Sequence, residues 1–155
     1  MMPVAYVDTS AFMKRFLLEN RSVEMEAFAT SSQYQLAISS LTVTEFRSVL
    51  KRGQRHGTTT AAFTHKATEQ LLQEIASGAL RFHTIDAAIF SLASELIEGL
   101  SSPLGTLDAL HLACAKATGA VLMVSSDRQL LRAAEESSME ILDLSPQTAS
   151  PTWDA

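Results

Sequence analysis

Short β-prone apolar runs alternate with segments of helical periodicity along almost the whole chain, and this alternation leaves it few folds. Pro3 to Val7, Gln35 to Ile38, Arg81 to Ile85, Ala120 to Val124 and Glu140 to Leu144 read as strands. Helical patterns fall between them, over Ser10 to Leu18, Ser22 to Thr30, a segment opening near Thr42, Thr58 to Ala76, Ala87 to Leu100, Thr106 to Thr118 and Asp127 to Ser137. In the longest of these, Phe63, Ala67, Leu71 and Ile75 recur one helical turn apart, and Gly78 is placed to stop the helix. Strands joined through helices by short connectors imply a parallel sheet covered on both faces. The expected fold class is therefore α/β, a three-layer α/β/α arrangement around a mainly parallel sheet of about four or five strands.

A chain of 155 residues, 46% hydrophobic and 19% charged, is long enough for one substantial core and too short for a second domain of ordinary size. The domain is expected to span residues 1–144. Residues 145–155, Pro-punctuated and polar at their start, are expected to form a loosely held tail. No apolar run reaches membrane-spanning length and Met1-Met2-Pro3 lacks the features of a signal peptide, so no membrane association and a cytoplasmic location are expected. The lone cysteine, Cys114, lies in an apolar run and reads as a small core residue.

Four carboxylates stand at apolar-to-polar junctions of this pattern: Asp8, Glu45, Asp108 and Asp127. In a parallel α/β sheet, ligands bind beyond the carboxyl ends of the strands. Asp8 ends the first strand, Asp127 follows the Ala120 to Val124 strand, and Glu45 and Asp108 fall in first turns of helices, which start from the same sheet edge if the preceding connections are short. Converging anions repel one another unless cations join them, and the cation suited to an all-oxygen site is Mg²⁺ or Mn²⁺, one or two ions. Taken singly, an Asp at a strand-to-helix junction is an N-cap and Glu45 a solvated helix residue. Asp86, in Ile-Asp-Ala-Ala, has the same local setting without further support, and reads as a cap only. His111 lies three residues after Asp108 among apolar neighbours and reads as a packed, hydrogen-bonded histidine, with a general-acid role as the alternative.

Val-Asp-Thr-Ser-Ala at 7–11, Ser-Ser-Leu-Thr-Val-Thr-Glu-Phe at 39–46, Leu-Asp-Ala-Leu-His-Leu-Ala at 107–113 and Val-Ser-Ser-Asp-Arg-Gln-Leu at 124–130 follow one another in an order that resembles the PIN domain family, and within it the VapC-type toxin ribonucleases. The resemblance runs over about residues 3–144. It implies a Mg²⁺- or Mn²⁺-dependent endoribonuclease with Asp8, Glu45, Asp108 and Asp127 as catalytic acids. Asp8 and Asp108 would be direct ligands; Glu45 and Asp127 would bind directly or through water. Ser10 and Ser125 match the family's hydroxyl positions, Ser125 standing where many members carry Thr. The toxin resemblance further implies an RNA substrate such as a transfer RNA or a ribosomal RNA loop, an antitoxin that covers the groove, and a homodimer.

Net charge is −5, which excludes non-specific nucleic-acid binding through bulk charge, so RNA contact must come from a local patch. Arg47, Lys51 and Arg55 recur every four residues beside Arg52, and Lys14 and Arg15 lie after the first strand. These six are the candidate RNA-binding residues, against the alternative of a solvated helix face. Other readings are a housekeeping RNA-processing nuclease, a phosphoaspartate phosphatase or receiver-type protein, and a PIN-like binding module with a decayed site. The phosphatase normally needs a second Asp where this chain has Ser10.

Overall fold

The structure is a computed structural model and describes residues 1–147. Five strands, β1 (Val4–Val7), β2 (Gln35–Ser39), β3 (Arg81–His83), β4 (Leu122–Ser125) and β5 (Glu140–Asp143), form one sheet in the order β3-β2-β1-β4-β5. Every pairing is parallel. Among the described residues seven helices flank it: α1 (Thr9–Phe12), running on into a 3₁₀ turn (Met13–Arg15), α2 (Ser22–Thr30), α3 (Ser40–Arg55), α4 (Ala61–Ala76), α5 (Ala87–Gly99), α6 (Thr106–Ala117) and α7 (Arg128–Glu136). No helix among the described residues is long and apolar enough to cross a membrane.

Strand β1 sits at the centre because all four of its residues are apolar enough to be buried on both faces. Side-chain alternation divides it: Val4 and Tyr6 join one core with Ile89, Leu112 and Leu130, while Ala5 and Val7 join another with Phe12, Phe46, Leu50 and Leu71. Helices α1 to α4 thus cover one face and α5 to α7 the other, which is how right-handed crossovers build outwards in both directions from a central strand. The edge strand β3 is largely exposed.

Some elements differ from expectation for local reasons. The helix expected over residues 10–18 tightens into a 3₁₀ turn after Phe12, because Lys14 is drawn inward to donate to the Asn20 carbonyl at 2.7 Å, and the chain folds back on itself. Helix α3 opens at Ser40, earlier than expected, because Ser39 caps it: Ser39 N donates to Thr42 Oγ1 at 3.2 Å in a reciprocal capping box. Gly78 ends α4 at φ +80, a conformation an L side chain rarely adopts. Of the expected tail, Ser145 is buried and its carbonyl accepts from Arg21, while residues 148–155 lie outside the described residues.

Candidate active site

The chain leaves β1 towards β2 on one side and returns through β4 on the other, so the strand order reverses between β1 and β4. At such a switch point the connections diverge and leave a crevice at the carboxyl ends of the strands. Asp8 follows β1, Asp127 follows β4, Asp108 lies in the first turn of α6 and Glu45 in the second turn of α3. Helices α1, α3, α6 and α7 all begin at this edge, and the partial positive charge of their N-termini favours carboxylates there.

Asp8 is 4% exposed, and both its oxygens are engaged. Oδ1 accepts from Ser10 Oγ at 2.7 Å and from Ala11 N at 3.1 Å, and Oδ2 accepts from Ser125 Oγ at 2.8 Å. The two serines also bind the loop after β4, since Ser126 N donates to Ser10 Oγ and Asp127 N to Ser125 Oγ. They therefore fix Asp8 against β4 and set the path of the backbone that carries Asp127. Asp127 in turn caps α7 by accepting from Gln129 N at 2.9 Å and Leu130 N at 3.4 Å.

The acids are unequal. Burial lifts the Asp8 carboxyl above the ordinary carboxylate range, against the opposing pull of His111, Ser10, Ala11 and Ser125. Asp108 is pushed up to about 6, by burial first, then by the charge of Asp127 and a carboxyl-to-carboxyl hydrogen bond with it, and by Asp8. Glu45 moves the other way. Partial burial works to raise it, but hydrogen bonds from His111 and Thr9 outweigh that and leave it below the usual range. Asp108 thus feels the charge of both Asp127 and Asp8, while Glu45 is held to one side by donors of its own.

Those donors were not anticipated. Glu45 Oε1 accepts from Thr9 Oγ1 at 2.6 Å and from His111 Nε2 at 2.6 Å. His111 is 3% exposed, and its Nδ1 lies 2.8 Å from the hydroxyl of Tyr6, which is fully buried. The packed, hydrogen-bonded histidine expected from the sequence is what the fold contains, but its partners come from β1 and α3, far away along the chain. For Thr9 a signal was available: it adjoins Asp8, and successive residues at the start of a helix point to different neighbours, so Ser10 faces Asp8 while Thr9 faces α3.

The expected basic face is largely dispersed. Lys14 is buried, with its ammonium on the Asn20 carbonyl and 3.6 Å from Glu19. Arg15 forms a two-pronged ion pair with Glu74 and lies over the Phe12 and Phe16 rings. Both cations tie the first helical turns into the fold rather than facing the site. Residues of a helix are about 100° apart. Arg47, Lys51, Arg52 and Arg55 are all exposed; Arg47 and Lys51 turn well away from Glu45 and Arg55 by about 80°, whereas Arg52, seven residues on, shares its face. Arg52 lines a groove of about 570 Å³ with Thr9, Ser10, Glu45, Ser48 and Leu107. A larger hollow, of about 750 Å³, lies at the opposite end of the sheet and has no acid among its lining residues, so size does not locate the chemistry.

All the oxygen donors here suit a hard divalent cation, which would offset the burial and the acidic neighbours that raise Asp108. Among the described residues no three His, Cys, Asp or Glu side chains stand close enough to form a ready-made cage. Glu45, drawn towards His111 and Thr9, is the acid set apart from the other three by partners of its own.

The family model described as PIN domain matches residues 5–136. No curated protein matches the chain at a significant level. Among solved structures, the chain is similar to VapC20 of Mycobacterium tuberculosis, described as a Sarcin-Ricin loop cleaving toxin, at TM-score 0.65 and 17% identity over 83% of this chain and 94% of that one. It is similar to VapBC2 of Rickettsia felis bound to a DNA fragment from its promoter, at TM-score 0.62 and 13% identity over 90% and 98%. A toxin-antitoxin complex of Klebsiella pneumoniae matches at TM-score 0.60 and 16% identity over 92% and 99%. At these identities the solved structures establish a shared fold.

Proposed function

The chain belongs to the PIN domain family, and we propose that it is a divalent-metal-dependent endoribonuclease acting as the toxin of a toxin-antitoxin pair. The observation that carries the reading is the convergence of Asp8, Asp108 and Asp127 at the switch point of the sheet, with Asp108 raised to about 6 by burial and then by its acidic neighbours. Asp8 and Asp108, with Asp127 and Glu45 directly or through water, would hold one or two Mg²⁺ or Mn²⁺ ions, which supply an acidified water for in-line attack on phosphorus and charge to steady the leaving 3′ oxygen. Ser10 and Ser125 keep Asp8 in a single orientation. Arg52, on the Glu45 face of α3, draws the phosphate backbone towards a cluster that would otherwise repel it. The products are a 5′-phosphate and a 3′-hydroxyl.

The similarity to a loop-cleaving toxin and to toxin-antitoxin complexes supports structured RNA as the substrate class, and an antitoxin as partner. A homodimer accompanies this reading. The test is incubation of the purified chain with a mixed RNA pool in Mn²⁺ or in chelator, with mapping of the ends. Discrete Mn²⁺-dependent cuts with 5′-phosphate ends are expected; no cleavage of any RNA, or equal cleavage in chelator, overturns the reading. Growth arrest of a bacterial host by wild type but not by Asp8→Asn separates a toxin from a housekeeping RNA-processing enzyme.

A further inference from the structure

We propose that His111 and Tyr6 are positioning residues that set Glu45, through Thr9 and the imidazole, at a fixed place relative to Asp8 and Asp108, leaving one carboxylate oxygen for the metal. The inference rests on the metal-dependent reading above and specifies how its fourth acid is held.

Glu45 lies on α3, on the opposite side of the sheet from α6 and Asp108. Nothing in α3 itself restrains a glutamate with three rotatable bonds, and ordering such a side chain costs up to about 2 kcal/mol. Here two donors close on the same atom, Oε1: Thr9 Oγ1 at 2.6 Å and His111 Nε2 at 2.6 Å. Among the described residues Oε2 has no hydrogen-bond partner, and Glu45 lines the groove beside Arg52. Each donor is tied to another acid of the site. Thr9 is the residue after Asp8, and His111 lies three residues beyond Asp108, less than one turn along the same helix. Glu45 is thereby located from two of its fellow acids by their immediate neighbours.

The imidazole needs a fixed orientation to do this, because an ionised carboxylate only accepts and Nε2 must carry a proton. Tyr6 supplies the constraint. Its hydroxyl, with no exposure to solvent, lies 2.8 Å from His111 Nδ1 and 2.9 Å from Ser39 Oγ, the cap of α3. The phenol donates its proton to Ser39 Oγ and its oxygen lies against Nδ1, so the ring cannot flip without breaking that contact, and Nε2 is kept facing the ionised Glu45 carboxylate, which needs a proton there. Removing an outer partner of a metal-binding carboxylate typically weakens metal affinity about 10–100-fold.

The test uses the full chain and two measurements. Proton-nitrogen NMR of the metal-free protein, labelled at histidine, is expected to show a slowly exchanging proton on His111 Nε2; a bare Nε2 overturns the proposal. Mn²⁺ titrations followed by electron paramagnetic resonance of free Mn²⁺ then compare wild type, His111→Leu, His111→Gln and Tyr6→Phe, with folding checked by thermal melts. His111→Leu is expected to bind Mn²⁺ about 10–100-fold more weakly. His111→Gln, whose amide can still donate to Glu45, should recover most of that loss, and Tyr6→Phe should lie between. Wild-type affinity in His111→Leu, or no recovery in folded His111→Gln, overturns the positioning role alone. If His111→Leu does not fold, Tyr6→Phe decides the matter, and unchanged affinity there overturns it. Failure of the wild type itself to bind Mn²⁺ overturns the metal-dependent reading, and this inference with it.

Discussion

At the carboxyl ends of the strands, a groove of about 570 Å³ is lined by Thr9, Ser10, Glu45, Ser48 and Arg52. At the amino ends, a hollow of about 750 Å³ is lined by Met2, Val4, Gln35, Leu80 and Val121, with the turns at Gly78 and Gly119. The larger space belongs to the end where helices finish, and its walls are mainly apolar. The smaller one belongs to the end where helices start, where backbone N–H groups and hydroxyls let a buried anion persist: Asp8 is nearly inaccessible there, as are the polar Ser39, Ser125 and His111. The contrast teaches that in a parallel sheet the direction of the chain, rather than cavity size, decides where charge collects and chemistry becomes possible.

The most severe way to break the contrast is to remove a carboxylate. Asp8→Asn and Asp108→Asn should each lower cleavage by at least about 10²–10³-fold, the scale of losing one preorganised charge-stabilising group. Val121→Ala, at the other end, should leave the rate within about twofold, on the footing that surface changes away from such features have small effects. Equal losses at both ends in a gel-based cleavage assay would remove the distinction.

Metal should separate the ends next. Mn²⁺ at about 100 times its dissociation constant should stabilise the wild type by about 2.7 kcal/mol through linkage, seen as a rise in melting temperature across a Mn²⁺ series. Asp108→Asn should gain far less, and Val121→Ala the same as wild type. A variant Asp108→Asn that responds as strongly as the wild type would show that metal binds elsewhere.

A smaller effect follows from Asp108 standing near 6. Its folded value lies above the ordinary one of about 3.9, so the folded chain binds a proton that the unfolded chain does not over that interval. In chelator, stability should be lowest at neutral pH and rise as pH falls from about 7 towards 5, by roughly 2–4 °C in melting temperature for about 1 kcal/mol, once solvent screening at this half-exposed carboxyl is discounted. Asp8, also raised, acts in the same direction, whereas the lowered Glu45 acts oppositely and only near or below its ordinary value of about 4.3. Asp108→Asn should flatten the profile near pH 6 and melt at or above the wild type at neutral pH. A wild-type melting temperature that falls steadily from pH 7 to 5 would contradict the assignment.

The mildest test stays within the carboxyl edge. Arg52→Ala should raise KM a few-fold and reduce the salt dependence of RNA binding by about one phosphate contact, while Arg47→Ala, on the far side of α3, should change neither. Asp86→Asn should be nearly silent in activity and stability, since Asn is as good a cap as Asp. Matching effects of Arg47 and Arg52 would mean that the groove is not the path of the RNA.

Much of this was legible in the residues. The alternation of runs predicts the α/β class, and the five strands and the helices after them fall close to their expected places because each run carries its own periodicity and stop signals, as with Gly78 after α4. The grouping of Asp8 with Asp127 was accessible from the rule that parallel strands place their carboxyl ends together. Arg52 was accessible too, since seven residues from Glu45 is two helical turns; mutual spacing of Arg47, Lys51 and Arg55 pointed instead to a stripe of the wrong phase. Lys14 and Arg15 were not, because whether a cation in a short turn faces solvent depends on what packs over it, here Asn20, Glu74 and two phenylalanine rings.

Asp86 and Asp127 mark the boundary between the two kinds of knowledge. Each caps a helix by accepting a backbone N–H, Asp86 from Ile89 and Asp127 from Gln129, so local sequence treats them alike. They differ because β3 lies at the edge of the sheet and β4 beside β1. Local sequence was enough for the elements, their direction and the acids Asp8, Asp86 and Asp127 at strand-to-helix junctions, since these depend on interactions over a few residues. Strand order, and with it the meeting of Ser125 with Asp8 and of His111 with Tyr6 and Glu45, was decided by tertiary packing, because those contacts span 66 to 117 residues and depend on which faces the cores bury.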